Sequence, residues 1–365
     1  MEKNSKIRVA VVYNHSGEDV YEKIRDVDPN TLGFEPEYDT NVATVTEEYE
    51  AIAKALKTQG YNSYILNINE DLKVLTDLLQ NNPPDVVFNL IEFYREDAAL
   101  EQSIAGLFAL YGVRYTGARP FTLALCQRKG MTKQLLLANN VPTPRYRLLN
   151  EPKLPGRHGL HYPMIVKPAR EDASSGVEKG SVVYNYEELY ERIKKAFEEY
   201  NPPILVEEFI EGRELHVSVL GNDPPEVLPI IEFDFSELPS DHPTIISYDA
   251  KWNPLEESFH RVHTICPAKL TRRVEKKVKA AVLDAYKITG CTDYARLDLR
   301  LTKDNKVYVL EVNPNPDLTE SVSFMESAEH FGLSFGETLA KIVEFALSRP
   351  APSVPVLQPA SGKSS

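Results

Sequence analysis

Cysteine is scarce in this chain. Its three cysteines, Cys126, Cys266 and Cys291, lie far apart and form no CxxC pair, which offers no zinc site and fits a reducing compartment. A GxxxxGK[ST] loop is also missing, so nucleotide binding through a P-loop is excluded. Apolar runs stay short of the ~18 residues that a membrane-spanning helix needs. The run at 7–13 is too short for a signal peptide and reads as a first core strand. There is no basic footprint: a net charge of −13 argues against a nucleic-acid partner. An anionic ligand would need a local cluster of lysines and arginines to overcome that field. No internal repeat is present. A cytoplasmic protein with no membrane contact is the simplest expectation.

What is there is ordinary globular composition, 42% hydrophobic and 26% charged over 365 residues, enough for two or three compact units. Strand and helix patterns alternate from 7 to about 120, the mark of a doubly wound α/β unit whose ligands sit outside the strand carboxyl ends. A single helix is predicted over 123–140, followed by a proline-punctuated boundary near 142–144. From there to 215 the pattern gives strands, a Ser/Gly loop and a helix. From 216 strands dominate, with "EVLPIIEFDF" and "CPAKL" among them, and a helix closes the unit before 349. The expected division is 1–120, 121–215 and 216–349, with a Pro/Ser/Ala-rich disordered tail at 350–365.

Two alternating runs carry the strongest chemical signal. In "YARLDLRL" (294–301), Arg296, Asp298 and Arg300 share a face. In "YVLEVNPNPDL" (308–318), Glu311 and Asn313 share a face while Leu310 and Val312 share the other, and Pro314 and Pro316 end the strand. A two-residue turn at Asp304-Asn305 sets Asp298 opposite Glu311 and Arg296 opposite Asn313. Facing carboxylates repel, and a cation between them removes the objection. The ligands are all oxygens with no Cys or His nearby, so Mg²⁺ is expected, with Mn²⁺ as the alternative and phosphates completing the shell. The plainer alternative is a solvated hairpin whose acids are neutralised by Lys or Arg.

Other motifs are weak singly. Lys167 ends the strand "MIVK" beside the loop "AREDASSGV", whose hydroxyls and amides suit phosphate oxygens; most such lysines are simply solvated, and such loops are often surface turns. Glu207, Glu208 and Glu214 punctuate "LVEEFIEGREL", which reads either as a strand linker for an adenine edge or as an edge strand guarded by charge. Lys129 and Lys251 are further candidate phosphate contacts.

In series these motifs resemble the ATP-grasp superfamily, and within it the D-alanine–D-alanine ligases. The segments that carry the likeness are "YTGA" (115–118), "IVKPAREDASSGV" (165–177), "VEEFIEGRE" (206–214), "DAKW" (249–252), "CPA" (266–268), "ARLDLRL" (295–301) and "LEVNPNPDLT" (310–319). The resemblance implies two α+β units gripping ATP behind an N-terminal α/β domain. It implies that Lys129, Lys167 and Lys251 meet the phosphates under a loop bearing Ser174. Glu207, Phe209 and Ile210 would lie on the adenine-side linker, with Glu214 at the ribose. Asp298, Glu311 and Asn313 would hold two Mg²⁺ ions, and Arg296 would stabilise the acyl phosphate and tetrahedral species. Glu18, in Ser16-Gly17-Glu18, matches a residue that binds a substrate ammonium. The implied activity is ATP-dependent joining of a carboxylate to an amine, on small-molecule amino acid or amine substrates, in a family that often forms homodimers.

Departures concentrate on the substrate side. Tyr13 and Asn14 replace a glycine pair, "IEFYREDAALEQ" (91–102) replaces a His-Gly stretch, and Trp252 stands where the family has a tyrosine. After Asn313 the family has a glycine and a serine that hold the acceptor's carboxylate; here the positions are Asp317 and Val322. At contact distance two like charges cost about 4 kcal/mol at an effective dielectric near 20. The acceptor is therefore expected to be a cationic or neutral amine, or an amino acid whose carboxylate lies elsewhere, unless Arg300 or Lys306 compensates, or Ser321 or Ser323 replaces the serine. The alternatives are a ligase for other amino acids, peptides or amines, and a non-catalytic ATP-binding module. An arginine at the reaction centre favours an enzyme.

Overall fold

The computed structural model describes residues 7–352, except Glu18, Asp26, Asp39, Asn41 and Ser321. Glu18 and the greater part of the expected tail, 353–365, therefore lie outside the described residues.

Strands β1 (Arg8–Tyr13), β2 (Asn62–Asn67), β3 (Val86–Leu90) and β4 (Arg114–Tyr115) form a parallel sheet in the order β2-β1-β3-β4. After Arg8, strand β1 is continuously apolar because both its faces are covered. Val9 and Val11 pack with the helices Val45–Thr58 and Phe335–Ser348, while Ala10 and Val12 pack with Leu72–Asn81 and Glu101–Leu110. The closing helix of the chain thus completes the core of the first sheet.

A second, antiparallel sheet, β5-β8-β6-β7, comprises β5 (Tyr146–Leu149), β6 (Met164–Pro168), β7 (Val182–Val183) and β8 (Ile204–Glu208). The third contains β9 (Arg213–Leu220), β10 (Glu226–Val227), β11 (Ile231–Asp234), β12 (His263–Ile265), β13 (Tyr294–Leu301) and β14 (Val307–Asn313). Its order is β12-β11-β9-β13-β14, with β10 paired to β9. The long amphipathic helix Arg272–Thr289 covers its back through Val274, Val278 and Val282.

Several expected elements differ. The single helix over 123–140 is two, Pro120–Cys126 and Lys129–Ala138. Arg128 leaves helical geometry (ψ 76°), and Leu125 O accepts both from Arg128 N–H at 3.0 Å and from the Thr132 hydroxyl at 2.7 Å. The strand read over 226–235 divides into β10 and β11 around Pro229, which has no N–H to donate. The strand expected at "CPAKL" ends earlier, as β12 at Ile265.

The β13–β14 hairpin has the expected pairs, Asp298 with Glu311 and Arg296 with Asn313. It reaches them by another route. The loop has three residues, closed by Thr302 N–H to Lys306 O (3.0 Å) with Asn305 left-handed (φ 60°). A β-bulge between the Leu299–Val309 and Asp298–Glu311 pairs leaves Leu310 unopposed and restores the register. Leu310 therefore does not share Val312's buried face; it lines the cleft beside Glu311.

Candidate active site

A cleft of about 930 Å³ opens between the second and third sheets, its walls drawn from β6, β8, β9, β13 and β14. At its floor Arg296 grips Asp298 with both ends of its guanidinium, Nε to Oδ1 at 2.8 Å and Nη2 to Oδ2 at 3.0 Å. Asn313 Nδ2 donates to the same Oδ2 at 3.1 Å. Glu311, across the hairpin, lies 3.6 Å from Lys129 Nζ. Burial alone would raise both acids, but Arg296 holds Asp298 below the usual carboxylate range and Lys129 does the same for Glu311. Two ionised carboxylates and an amide oxygen on one surface are a hard-oxygen donor set, and they fit Mg²⁺. A metal held at Asp298 would share the neutralisation that Arg296 supplies there, which would leave the guanidinium available to a reacting group.

Lysines line the same cleft. Lys129 opens the helix Lys129–Ala138 and reaches the Ser/Gly loop, donating to Glu171 O and to Asp172 Oδ1 (2.9 Å). Burial works against its charge, yet Asp172 and Glu311 raise its pKa above the ordinary lysine value. Lys167, at the end of β6, pairs with Glu207 Oε1 at 2.8 Å. Lys251, on the short helix Tyr248–Trp252, sits 4.6 Å over the Trp252 ring, its pKa lowered by burial and by Arg296.

The loop over the cleft is tied down at three points: by Lys129, by the Trp252 indole donating to Ala173 O (2.9 Å), and by Gly176. Ala173, Ser174 and Gly176 are all left-handed, and a Cβ on Gly176 would sit 2.7 Å from the Pro168 ring. Ser174 thus faces the cleft. A second cavity joins this one at Asp172, Ala173, Lys251, Arg296 and Asn313. Glu92, Glu101, Trp252 and Asp317 line its far side.

Residues 146–344 match the family model described as D-ala D-ala ligase C-terminus. A D-alanine–D-alanine ligase of Carboxydothermus hydrogenoformans is 32% identical over 308 residues, covering 82% of this chain and 92% of that protein. A Sinorhizobium fredii protein described as uncharacterized is 29% identical, covering 82% of this chain and 87% of its own length. The chain belongs to the D-alanine–D-alanine ligase family. It is an ATP-grasp ligase. The crystal structure of a D-alanine–D-alanine ligase from Bacillus anthracis shares the fold, with a TM-score of 0.70 at 21% identity over 93% of this chain and 97% of that one. A second structure of that enzyme, complexed with ATP, gives 0.68 at 22% identity, with the same coverage.

Within this family member, the cleft brings together Lys129, Lys167, Ser174, Glu207, Phe209, Ile210, Glu214, Lys251, Arg296, Asp298, Glu311 and Asn313, while Trp252 and Asp317 line the adjoining cavity. Two of them are already engaged by side chains of the protein. Glu207 lies in β8 rather than on the linker after it, and both its oxygens are engaged, by Lys167 (2.8 Å) and Lys133 (2.9 Å). It positions both lysines and still lines the cleft. Glu214 faces the cleft, but one oxygen is bound by Arg300 Nη2 at 2.7 Å. Arg300 is thereby committed, together with Gly212 O and Thr244, and Lys306 pairs with Asp304 at the hairpin turn. Neither compensates Asp317. Ser321 lies outside the described residues, and Ser323 is tied to His216 Nδ1 at 3.1 Å.

Three residues escaped the sequence. His216 lies opposite Asp298 on β9, its Nε2 3.4 Å from Oδ1, contrary to the expectation of no histidine nearby. Burial and Arg296 push its pKa well below the usual value, so it is neutral. Its signal was the alternation of Glu214, His216 and Ser218 along one strand face. Lys133 follows Lys129 by four residues, which puts both on one helix face, and Asp172 sits in the loop already singled out.

Proposed function

We propose that the protein is an ATP-dependent carboxylate–amine ligase that forms an amide or peptide bond through an acyl phosphate. The observation that carries this is the four-residue cross-strand group Arg296, Asp298, Glu311 and Asn313, set in one cleft with Lys129, Lys167 and Lys251. The three lysines place positive charge where ATP phosphates would lie in an otherwise acidic molecule. Phe209 and Ile210 offer an apolar wall for the adenine, and the free oxygen of Glu214 is set for a ribose hydroxyl. Bound by Asp298, Glu311 and Asn313, two Mg²⁺ ions (or Mn²⁺) would supply charge neutralisation to the transferring phosphoryl group.

A donor carboxylate oxygen attacks the γ-phosphorus, the bond to the β-phosphate oxygen breaks, and ADP leaves. An amine nitrogen then attacks the acyl carbonyl. The carbon–oxygen bond to phosphate breaks, phosphate departs with the electron pair, and the nitrogen loses a proton to solvent. Arg296, released from Asp298, would stabilise the oxyanion of the tetrahedral species. Ser174 would help to close the loop over the phosphates. Relatives carry the name D-alanine–D-alanine ligase. Here Trp252 and Asp317 are part of a substrate pocket that departs from the family pattern, and Glu18 remains the proposed ligand of the donor's ammonium. The division at 1–120, 121–215 and 216–349, a cytoplasmic location and a homodimer belong to the same proposal. Among the described residues no helix is long and apolar enough to cross a membrane.

Glu311→Gln is expected to abolish Mg²⁺-dependent phosphate release while most nucleotide affinity survives. Removing one carboxylate weakens the metal site but leaves the lysines. Turnover within about threefold of the parent at saturating Mg²⁺ would contradict the metal assignment.

A further inference from the structure

The second cavity is acidic on the side away from the nucleotide. Glu92, Glu101, Asp172 and Asp317 line it, against Lys251 and Arg296. Asp172 is answered by Lys129, and Arg296 is spent on Asp298. Lys251 stands on the border with the nucleotide cleft and lines both cavities. Glu92, Glu101 and Asp317 are left without a cation of their own among the described residues.

The placement of these acids is built in. Asn14 clamps Glu92 through its main chain, Nδ2 donating to Glu92 O (2.8 Å) and Oδ1 accepting from Glu92 N–H (3.0 Å). No hydrogen bond reaches the Glu92 carboxylate from any described residue, so it faces the cavity unpartnered. Glu101 braces the neighbouring turn by accepting from Phe93 N–H at 3.1 Å. Asp317 Oδ1 accepts from the Thr319 main chain (2.9 Å) and hydroxyl (2.5 Å), which fixes the side chain and leaves Oδ2 free. The loop that carries it is moored by Asn315, whose Oδ1 accepts from Ala118 N–H at 2.8 Å. Burial and the Asp317 charge together push Glu92 up to about 7, against the opposing pull of Lys251 and Arg296 across the cavity. Phe93, Leu123 and Val312 give the same cavity an apolar wall.

Resting on the ligase reading above, we infer that this cavity receives the acceptor, and that the acceptor is an amine bearing a second ammonium group away from the reacting nitrogen. Glu92 and Asp317 hold that ammonium, and the apolar wall takes the methylene spacer. The class comprises aliphatic diamines and amino compounds with a basic side chain. A free α-carboxylate placed beside Asp317 meets repulsion worth roughly a thousandfold in binding. The reacting nitrogen enters neutral, attacks the acyl carbonyl next to Arg296, and releases phosphate as described. The remote ammonium keeps its proton throughout.

The test has two stages. Hydroxylamine with Mg²⁺, ATP and a panel of amino acids and other carboxylates reports donor activation as hydroxamate, whatever the natural acceptor. With an active donor fixed, cadaverine, pentylamine and D-alanine are then compared as acceptors by amide formation. Cadaverine and pentylamine share a chain and differ in the second ammonium. Cadaverine is expected to exceed pentylamine in kcat/KM by about tenfold or more, and to exceed D-alanine further. Glu92→Gln and Asp317→Asn should each shrink the cadaverine-to-pentylamine ratio, a comparison made within one protein sample. Equal use of the two amines, or preferred use of D-alanine, overturns the inference while hydroxamate formation upholds the ligase. Absence of hydroxamate with every donor overturns the ligase proposal, and this inference with it.

Discussion

Glu207 answers two buried lysines with one carboxylate. Lys133 is 1% exposed, and Lys167, at 9%, reaches only the wall of the cleft. Burial works against the charge on Glu207, but Lys133 and then Lys167 hold its carboxyl below the ordinary range. A depressed native pKa gives stability that is fully present above the unfolded value of about 4.3. That stability is lost as pH falls through the lowered native value. Glu207→Gln removes this contribution and leaves two buried cations without a counter-charge, at a cost of about 3–5 kcal/mol. Denaturant unfolding at neutral pH should show that loss, and the variant's acid limb should be shallower than the parent's. A loss under about 1 kcal/mol would mean that the lysines are satisfied by other groups. Lys133 adds a second link, since its Nζ also donates to Leu310 O at 3.0 Å and to Thr143 Oγ1 at 2.9 Å. The acid of the second sheet is thereby joined to the bulge of the third.

That bulge, and the loops around it, turn strands into a site. The "YTGA" segment is an example. Gly117 has φ +85°, and a Cβ built on it would lie 2.3 Å from Asn315 Oδ1. Its N–H donates to Asp293 Oδ2 at 3.0 Å, and the next N–H holds Asn315. Gly117→Ala is therefore expected to cost about 1–3 kcal/mol in strain and to shift the Pro314–Asp317 loop. The acceptor KM should rise more than the KM for ATP. Equal effects on both substrates would place the loop's influence elsewhere. The pairing of Asp298 with Glu311 was legible in the sequence because side chains alternate on a strand and prolines end one. The bulge at Leu310 was not, because Lys133 and Pro142, more than a hundred residues earlier, help to hold it; Val309 N–H donates to Pro142 O at 2.8 Å. The break between the helices at Gln127-Arg128 carries no glycine or proline to announce it. Trp252 was visible only as a missing tyrosine, yet its indole pins the loop at Ala173. The acids of the second cavity come from three separate stretches of chain, so composition showed only a negative total.

Across the whole molecule, the same arrangement explains how a chain of net charge −13 can admit a nucleotide. Lys129, Lys167, Lys251 and Arg296 converge on the cleft between two antiparallel sheets, where carboxylates such as Glu207, Glu214 and Asp298 are paired with cations. Acids without an ion pair among the described residues face the adjoining cavity. The closing helix Phe335–Ser348 packs Leu339 and Val343 into the same core as Val9, Ile52 and Leu56, so the ends of the described chain share one packed interior. That contact helps to fix the first sheet, and Glu92 just beyond β3, relative to the hairpin bearing Arg296. The chemistry proposed for this junction leaves an isotopic trace. A donor carboxylate labelled with ¹⁸O is turned over with Mg²⁺, ATP and an amine, and the oxygen is followed by mass spectrometry. Transfer through an acyl phosphate predicts one labelled oxygen in the inorganic phosphate released, with ADP as the other product. Label in AMP, or phosphate released without label, would contradict it.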